Sequence, residues 1–111
     1  MGSATFFIGY PEMVAYIATK CGIVGFTRAL AYEAGAHGIT VNCVTPGLIE
    51  TEGVQDEDPT GELFEEIVGG QAVKRRGLPE DIAETIEYLV SPAASFITGQ
   101  TVNVDGGHRF H

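Results

Sequence analysis

A tyrosine and a lysine lie four positions apart in the stretch AYIATK, residues 15 to 20. On a helix this spacing places both side chains on one face, one turn apart, so the phenol of Tyr16 and the ammonium of Lys20 can converge on one small site. A free phenol has a pKa of about 10 and is a poor base at neutral pH, but a nearby positive charge favours the phenolate. Such a pair could move a proton to or from an alcohol oxygen. The alternative is two ordinary residues on one side of a helix, because this spacing is common.

The elements that would position this pair can be read from the apolar pattern and from the glycines and prolines that interrupt it. Apolar residues at helical spacing predict three helices, and alternating apolar and polar residues predict two strands, with a third strand as an option. In chain order these are a helix from Glu12 to Ala34, a strand from Ile39 to Val44, a short amphipathic helix around Leu63 to Val68, a helix from Pro79 to Val90, and a strand from Gln100 to Asp105. The optional strand is Ala4 to Ile8. The order predicts an α/β fold with a parallel sheet.

The chain is short for such a fold. At 111 residues it suits one domain, residues 1–111. Two or three strands make a small sheet whose open edges favour pairing with other polypeptide. The pattern therefore indicates part of a larger α/β structure.

Composition excludes several classes of partner and site. A net charge of −9 with only six Lys and Arg argues against nucleic acid or an anionic membrane as a partner. The one basic cluster is Lys74, Arg75 and Arg76, which we predict to be a solvated loop. Cys21 and Cys43 are not at metal-ligand spacing, so we expect no metal site and no disulfide. A reduced, cytoplasmic setting fits best, and the N-terminus is not typical of a signal peptide or membrane span.

Four stretches of the sequence, in the same order, resemble the short-chain dehydrogenase/reductase family. AYIATKCGIVGFTRALA, residues 15–31, resembles the active-site helix of that family. ITVNCVTPGLIET, residues 39–51, resembles the following strand and its Pro-Gly turn. RGLPEDIA, residues 76–83, resembles the start of the next helix, and TGQ at 98–100 with VDGG at 104–107 resembles the last strand and its end.

The resemblance assigns roles to the residues that match. It implies that Tyr16 is the catalytic acid/base, and that Lys20 lowers the pKa of that tyrosine and binds the nicotinamide ribose. It also implies that the Pro-Gly turn after the strand brings the Ile49 backbone and the Thr51 side chain to the nicotinamide carboxamide. The implied cofactor, NAD or NADP, would thus meet Tyr16, Lys20, Pro46, Gly47, Ile49 and Thr51.

A serine completes the resemblance. The family has a catalytic serine thirteen residues before the tyrosine, and that position is Ser3 here. Its hydroxyl would hold the substrate oxygen and stabilise charge on it during hydride transfer. The alternative is a loose terminal serine without a role.

The match covers only the C-terminal half of the family. The first strands and the glycine-rich turn that receives the dinucleotide pyrophosphate have no counterpart among these residues. The resemblance therefore implies a partial Rossmann-like fold, the C-terminal half of a doubly wound parallel sheet with two or three strands and three or four helices. We expect the isolated chain to be inactive, and to need the missing N-terminal half or a second copy in a homodimer as partner. The alternative is a non-catalytic dimerising module derived from the family.

The acidic segment between Thr51 and Lys74 allows two interpretations. Residues 50–66 hold eight of the fifteen acidic residues. In the family this region covers the substrate, but it could equally be a solvated surface helix. Neither the substrate nor the choice between NAD and NADP can be read from these residues.

Overall fold

Four α-helices and two short parallel strands form the chain, which a computed structural model describes from Met1 to His111. The helices are α1 (Val14–Gly35), α2 (Glu52–Glu57), α3 (Glu62–Gly70) and α4 (Pro79–Val90), and the strands are β1 (Cys43–Pro46) and β2 (Thr101–Val104). Two short 3-10 helices, Ala4–Phe7 and Pro92–Ala94, complete the set. The predicted α/β class with a parallel sheet is confirmed.

The sheet is the centre of the fold. β1 and β2 are parallel neighbours, with pairs running from Cys43 and Thr101 to Pro46 and Val104. Both α1 and α4 pack against β1. The core beneath α4 consists of Val44, Ile82 and Leu89, and four partly buried apolar side chains surround it: Ile49, Ile97, Val102 and Val104.

The start of α4 follows the predicted pattern. Pro79 occupies the first turn, where the missing N–H of proline costs no hydrogen bond. The Asp81 carboxylate accepts the Leu78 N–H at 2.8 Å, so one of the unpaired donors at the helix start is satisfied. The helix ends at Val90, directly before Ser91 and Pro92.

Two of the predicted strands differ from the structure. Ala4 to Ile8 is not a strand, because the Ser3 hydroxyl caps a 3-10 helix there by accepting the Thr5 N–H at 3.3 Å. The strand predicted from Ile39 to Val44 is instead Cys43–Pro46. Before Cys43 the backbone pairing is irregular, since the Val41 N–H donates to the Thr98 hydroxyl at 3.0 Å while the Val41 carbonyl oxygen accepts the Gly99 N–H at 2.7 Å. The short helix α2 was not predicted.

The chain exposes more surface than a compact domain of its size. Its accessible surface is 7190 Å², whereas about 5,900 Å² is typical of a folded monomer of 11.8 kDa. Its radius of gyration is 15.1 Å, against about 13 Å for a compact domain of this length. Only 14 of 111 residues are buried. Fifteen large apolar or aromatic side chains are exposed, and such a surface is suited to contact with further polypeptide.

Helix α1 carries four of these fifteen exposed side chains. Of its 22 residues only Val24, Thr27 and Ala31 are buried, while Phe26 and Tyr32 are largely exposed. By length and composition alone α1 could cross a membrane. A core helix of a soluble α/β domain passes the same test.

Candidate active site

The structure places the tyrosine and the lysine of α1 together. The Lys20 Nζ atom lies 5.6 Å from the centroid of the Tyr16 ring, on the same face of the helix. Tyr16 is 43% exposed, and Lys20 is partly buried. Lys20 also donates to the carbonyl oxygen of Met1 at 3.5 Å. The two side chains are therefore neighbours on an accessible surface.

The N-terminal residues bring Ser3 into the same region. The Gly2 N–H donates to the carbonyl oxygen of Val44 at 2.8 Å, so Ser3 lies beside the carboxyl end of β1. Ligands bind at this end of the strands in open α/β sheets. Ser3 is buried, and its hydroxyl is 2.8 Å from the hydroxyl of Thr5. Ser3 is thus an ordered residue next to the segment that Lys20 contacts, rather than a loose terminal serine.

The Pro-Gly turn leaves β1 in close contact with the end of β2. The Gly47 N–H donates to the Val104 carbonyl oxygen at 2.9 Å. A Cβ atom at Gly47 would lie 2.6 Å from the Cβ and 2.9 Å from the Cα of Asp105, so only glycine fits. Glycine is therefore required at position 47 by packing within this chain, directly after Pro46 at the end of β1.

Beyond the turn, Ile49 and Thr51 each have a structural partner. Ile49 bridges to Gly77, and the Glu50 N–H donates to the Gly77 carbonyl oxygen at 2.8 Å. The Thr51 hydroxyl accepts the Val54 N–H at 3.3 Å and so begins α2. As an acceptor in this bond, the hydroxyl retains its own proton to donate to a ligand.

The chain has two main cavities near the sheet, and neither Tyr16, Lys20 nor Ser3 lines either of them. One, of about 110 Å³, lies between Leu48 and Ile49, the loop at residues 71–77 and the end of β2 at Asp105. The other is an open groove of about 510 Å³ between residues 39–44 and α4. Tyr16 is 43% exposed and Lys20 is partly exposed, so both side chains are accessible from outside the chain.

The basic triplet lies in a loop, as predicted, with Lys74 and Arg75 exposed, but Arg76 is partly buried and bound by side chains of the acidic segment and its flank. Arg76 lies 2.9 Å from the Glu50 carboxylate and 3.6 Å from that of Glu65. Its guanidinium also stacks over the Phe64 ring at 4.6 Å from the centroid. Lys74 donates to the Gly69 carbonyl oxygen at 2.7 Å. The sequence contained one indication of these ion pairs, because the basic triplet and the acidic segment directly before it carry opposite charges.

These contacts attach the acidic segment to the body of the chain. Phe64 is 2% exposed and is the largest fully buried side chain. Its N–H donates to the Asp58 carboxylate at 3.2 Å, which ties the end of α2 to the start of α3. The segment is therefore packed on one side by Phe64, while its other acidic side chains face solvent.

Arg75 and Asp81 form a bidentate ion pair at the start of α4. One guanidinium nitrogen lies 2.7 Å and the other 2.5 Å from the two carboxylate oxygens. The Arg75 hydrogen bond, followed by that of the Leu78 N–H, lowers the pKa of Asp81 from 3.8 to about 2. The same pair raises the pKa of Arg75 above its ordinary value.

The ion pair predicts a pH dependence of stability. Because the pKa of Asp81 is depressed in the folded chain, its contribution is present above about pH 4 and is lost as the pH falls towards 2. Asp81→Asn should therefore lower the unfolding midpoint at pH 7 by a small amount, since Arg75 is exposed and Asp81 is partly exposed, so that solvent screens the pair. The difference in unfolding midpoint between Asp81→Asn and the wild type should decrease as the pH falls from about 4 to about 2. Thermal melts across this range measure it.

Glu80→Gln is the matched control for this prediction. Glu80 lies beside Asp81 in the first turn of α4 but forms no ion pair. Glu80→Gln should lower the unfolding midpoint less than Asp81→Asn does. Its difference in midpoint from the wild type should stay constant between about pH 4 and pH 2. If the unfolding midpoints of the two variants depended on pH in the same way, the stabilising role of the Arg75–Asp81 ion pair would be contradicted.

Comparison with known proteins identifies the family. A family model described as enoyl-(acyl carrier protein) reductase matches residues 1–109. A short-chain dehydrogenase/reductase of Armillaria gallica is 44% identical over 107 residues, covering 92% of this chain and 41% of that protein. The 3-oxoacyl-(acyl-carrier-protein) reductase FabG of Vibrio cholerae is 39% identical over 110 residues, covering 96% of this chain and 43% of that protein. This chain belongs to the short-chain dehydrogenase/reductase family.

Solved structures of short-chain dehydrogenases share the fold. A 4-hydroxyisoleucine dehydrogenase complexed with NADH is 38% identical with a TM-score of 0.89, covering 96% of this chain and 44% of that one. A short-chain dehydrogenase/reductase from Brucella melitensis, also 38% identical, has a TM-score of 0.89 and covers 99% of this chain and 44% of that one. The predicted family and the partial Rossmann-like fold are confirmed. The chain spans less than half the length of these relatives.

Proposed function

We propose that this chain supplies the catalytic half of an NAD(P)-dependent short-chain oxidoreductase that interconverts an alcohol and a ketone. The observation that carries the proposal is the placement of the Lys20 ammonium beside the Tyr16 ring and in contact with Met1, whose neighbour Gly2 binds Val44 of β1. The family comprises NAD(P)-dependent oxidoreductases, and three similar structures, all of 4-hydroxyisoleucine dehydrogenase, are complexes with NADH. Both facts support a proton-transfer role for Tyr16.

In the proposed reaction NAD(P)H, when bound, supplies the hydride that reduces the carbonyl carbon. The Tyr16 hydroxyl gives its proton to the carbonyl oxygen, so the product is the alcohol and the tyrosine is left as the phenolate. The Lys20 ammonium stabilises that negative charge. The reverse reaction runs through the same groups, with the phenolate removing the proton from the alcohol.

Ser3 would orient the substrate oxygen in this reaction. Its position beside the end of β1, two residues from the carbonyl that Lys20 contacts, supports the role. In the isolated chain its hydroxyl is engaged with Thr5. Binding of substrate would therefore require the Ser3 hydroxyl to exchange this partner for the substrate oxygen.

The residues present fit only the nicotinamide end of the cofactor. Lys20 offers an ammonium to the ribose hydroxyls, and the Ile49 backbone and the Thr51 hydroxyl follow β1 at the ligand-binding end of the sheet. No helix of the chain begins with a glycine-rich turn directly after a strand, the arrangement that holds a pyrophosphate. Too few contacts remain for useful affinity, so the isolated chain should be inactive.

The isolated chain should not bind the free cofactor. We expect millimolar NADH or NADPH to leave its unfolding midpoint unchanged, because a ligand that does not bind the folded state cannot stabilise it. Differential scanning fluorimetry with detection away from nicotinamide emission measures the midpoint. A saturable rise in the midpoint would contradict the proposed inactivity of the isolated chain.

Fusion to the missing half tests the function itself. The amino-terminal portion of the V. cholerae relative that this chain does not match would be joined to residues 1–111. We expect the fused protein to oxidise NADH or NADPH in the presence of a 3-oxoacyl-(acyl-carrier-protein), the substrate in the name of that relative. A folded fusion that binds the cofactor but turns over neither this nor other ketones would contradict the proposal.

The large exposed apolar surface favours a second candidate function, a non-catalytic dimerising module. Val14, Phe26 and Tyr32 of α1 are 80%, 65% and 92% exposed. Under this alternative α1 pairs with α1 of a second copy, and light scattering would give a dimer that Phe26→Asp dissociates. We propose in either case a cytoplasmic protein that binds neither nucleic acid nor membranes, in keeping with its net charge of −9.

A further inference from the structure

Side chains at the end of β2 hold residues 108–111, which we call the C-terminal segment. The Asp105 carboxylate accepts the N–H groups of Gly107 at 3.0 Å and of Arg109 at 2.8 Å. The Asn103 side-chain amide donates to the Arg109 carbonyl oxygen at 3.0 Å. Because three hydrogen bonds shape this turn, the C-terminal segment leaves β2 in a defined direction.

The C-terminal segment contacts the short helix that begins at Ser3. The His111 ring stacks on the Phe7 ring, with 4.4 Å between the ring centroids and 22° between the ring planes. Phe7 is the last residue of the 3-10 helix Ala4–Phe7, which the Ser3 hydroxyl caps at its other end. The stack therefore restrains one end of a four-residue helix whose other end carries the serine.

The same segment also contacts the end of α3. That helix ends at Gly70, where a Cβ atom would lie 3.1 Å from Cδ2 and 3.2 Å from Nε2 of His108. The His108 ring thus packs directly on the last residue of α3. Because His108 and His111 are three positions apart, a few residues connect α3 of the acidic segment to the 3-10 helix of Ser3.

We propose that the C-terminal segment is a brace between α3 and the 3-10 helix, and that His111 is a positioning residue for Ser3 through the Phe7 ring. This inference rests on the proposed function, which assigns the substrate oxygen to the Ser3 hydroxyl. A single 3-10 turn has poor hydrogen-bond geometry of its own, and an aromatic pair adds a directional attraction. When the Ser3 hydroxyl turns from Thr5 to the substrate oxygen, the stack keeps the backbone of the helix in place.

Amide exchange in residues 1–111 tests the positioning of Ser3 without catalysis. The Thr5 N–H donates to the Ser3 hydroxyl at 3.3 Å, so its exchange with deuterium, followed by NMR, reports on the cap. His111→Ala should speed this exchange about two- to ten-fold, in line with the usual strength of an aromatic pair. His111→Phe retains a flat ring and should restore the wild-type rate. Phe110→Ala removes a neighbouring ring that is 83% exposed and should change nothing.

Three results would overturn the positioning role of His111. One is an unchanged Thr5 exchange rate in His111→Ala. Another is an exchange rate in His111→Phe equal to that in His111→Ala, because the stack would then not be the cause. The third is an equal acceleration in Phe110→Ala, which would indicate general loosening of the C-terminal segment.

Two adjacent glycines of α3 provide a matched pair for the brace itself. A Cβ atom at Gly70 meets the His108 ring, whereas a Cβ atom at Gly69 meets no atom within 4 Å, and neither glycine has a positive φ. Gly70→Ala should displace the His108 ring and shift the NMR signals of both His108 and His111. Gly69→Ala should shift neither. A shift of the His108 signals alone would show that the two ends of the segment are not coupled, and the brace would be refuted.

Kinetics of the fused protein connect the brace to the reaction. His111→Ala should lower kcat about ten-fold, because a small displacement of an orienting group is costly, and His111→Phe should stay near the wild-type value. The Kd of NADH or NADPH should not change, since His111 contacts the Ser3 helix and not a residue assigned to the cofactor. Wild-type kcat in His111→Ala, despite faster Thr5 exchange, would overturn the positioning role. A wild-type fusion without activity would count against the proposed function alone, because amide exchange and ring signals test the brace independently.

Discussion

Tyr16→Phe should lower kcat of the fused enzyme by about 10²–10⁴-fold, the usual contribution of a positioned acid or base. The substitution removes one oxygen atom and retains the ring over which the Lys20 ammonium lies at 5.6 Å. Binding of the cofactor should therefore change little, and the loss should appear in kcat rather than in KM. Steady-state kinetics of NADH and NADPH oxidation measure both constants.

Tyr32→Phe is the matched control for this experiment. Tyr32 lies on the same helix, is 92% exposed and has no hydrogen-bond partner for its hydroxyl. Its replacement removes the same oxygen atom from α1 and should leave kcat within about two-fold, in line with surface substitutions away from a site. If Tyr16→Phe also turned over at the wild-type rate, the tyrosine could not be the acid/base.

Phe64→Ala should destabilise the chain by about 3–5 kcal/mol, the usual cost of deleting a buried phenylalanine side chain. Phe64 is 2% exposed, and its ring supports the guanidinium of Arg76, which binds Glu50 and Glu65. The cavity left by the ring and the loosened ion pairs should act in the same direction. Urea denaturation should show a lower midpoint with an unchanged slope.

Leu63→Ala tests the specificity of this effect. Leu63 precedes Phe64 on α3 but is 45% exposed, so its truncation should cost less than about 1 kcal/mol. Similar losses for the two variants would mean that α3 is not anchored through Phe64. The acidic segment would then be a solvated surface helix, as one interpretation of the sequence proposed.

Local patterns in the sequence were sufficient for the helices that carry the site. The helix predicted from Glu12 to Ala34 lies at Val14–Gly35, and the start predicted at Pro79 is confirmed. Helices follow from contacts three and four residues apart, so a short window of sequence contains the information. The same locality explains why the spacing of Tyr16 and Lys20 was enough to place them on one face.

Strand boundaries required partners far along the chain. The segment before Cys43 has strand-like alternation, but its hydrogen bonds go to residues 55 to 58 positions away, through Asn42 and Thr98 side chains. Alternation alone cannot show which edge of a strand is paired. The 3-10 helix at Ala4–Phe7 likewise depends on the Ser3 cap, which competes with the extended conformation expected of its apolar residues.

The amino-acid sequence alone establishes the family, the α/β class and the proximity of Tyr16 to Lys20, because motifs and helical spacing are properties of short segments. Only the folded chain shows that Arg76 binds Glu50 across 26 positions, that Ser3 is buried beside β1, and that His111 stacks on Phe7. Each of these features depends on segments that meet only when the chain folds around the sheet. Burial and long-range pairing depend on contacts between distant segments, so no short stretch of the sequence indicates them.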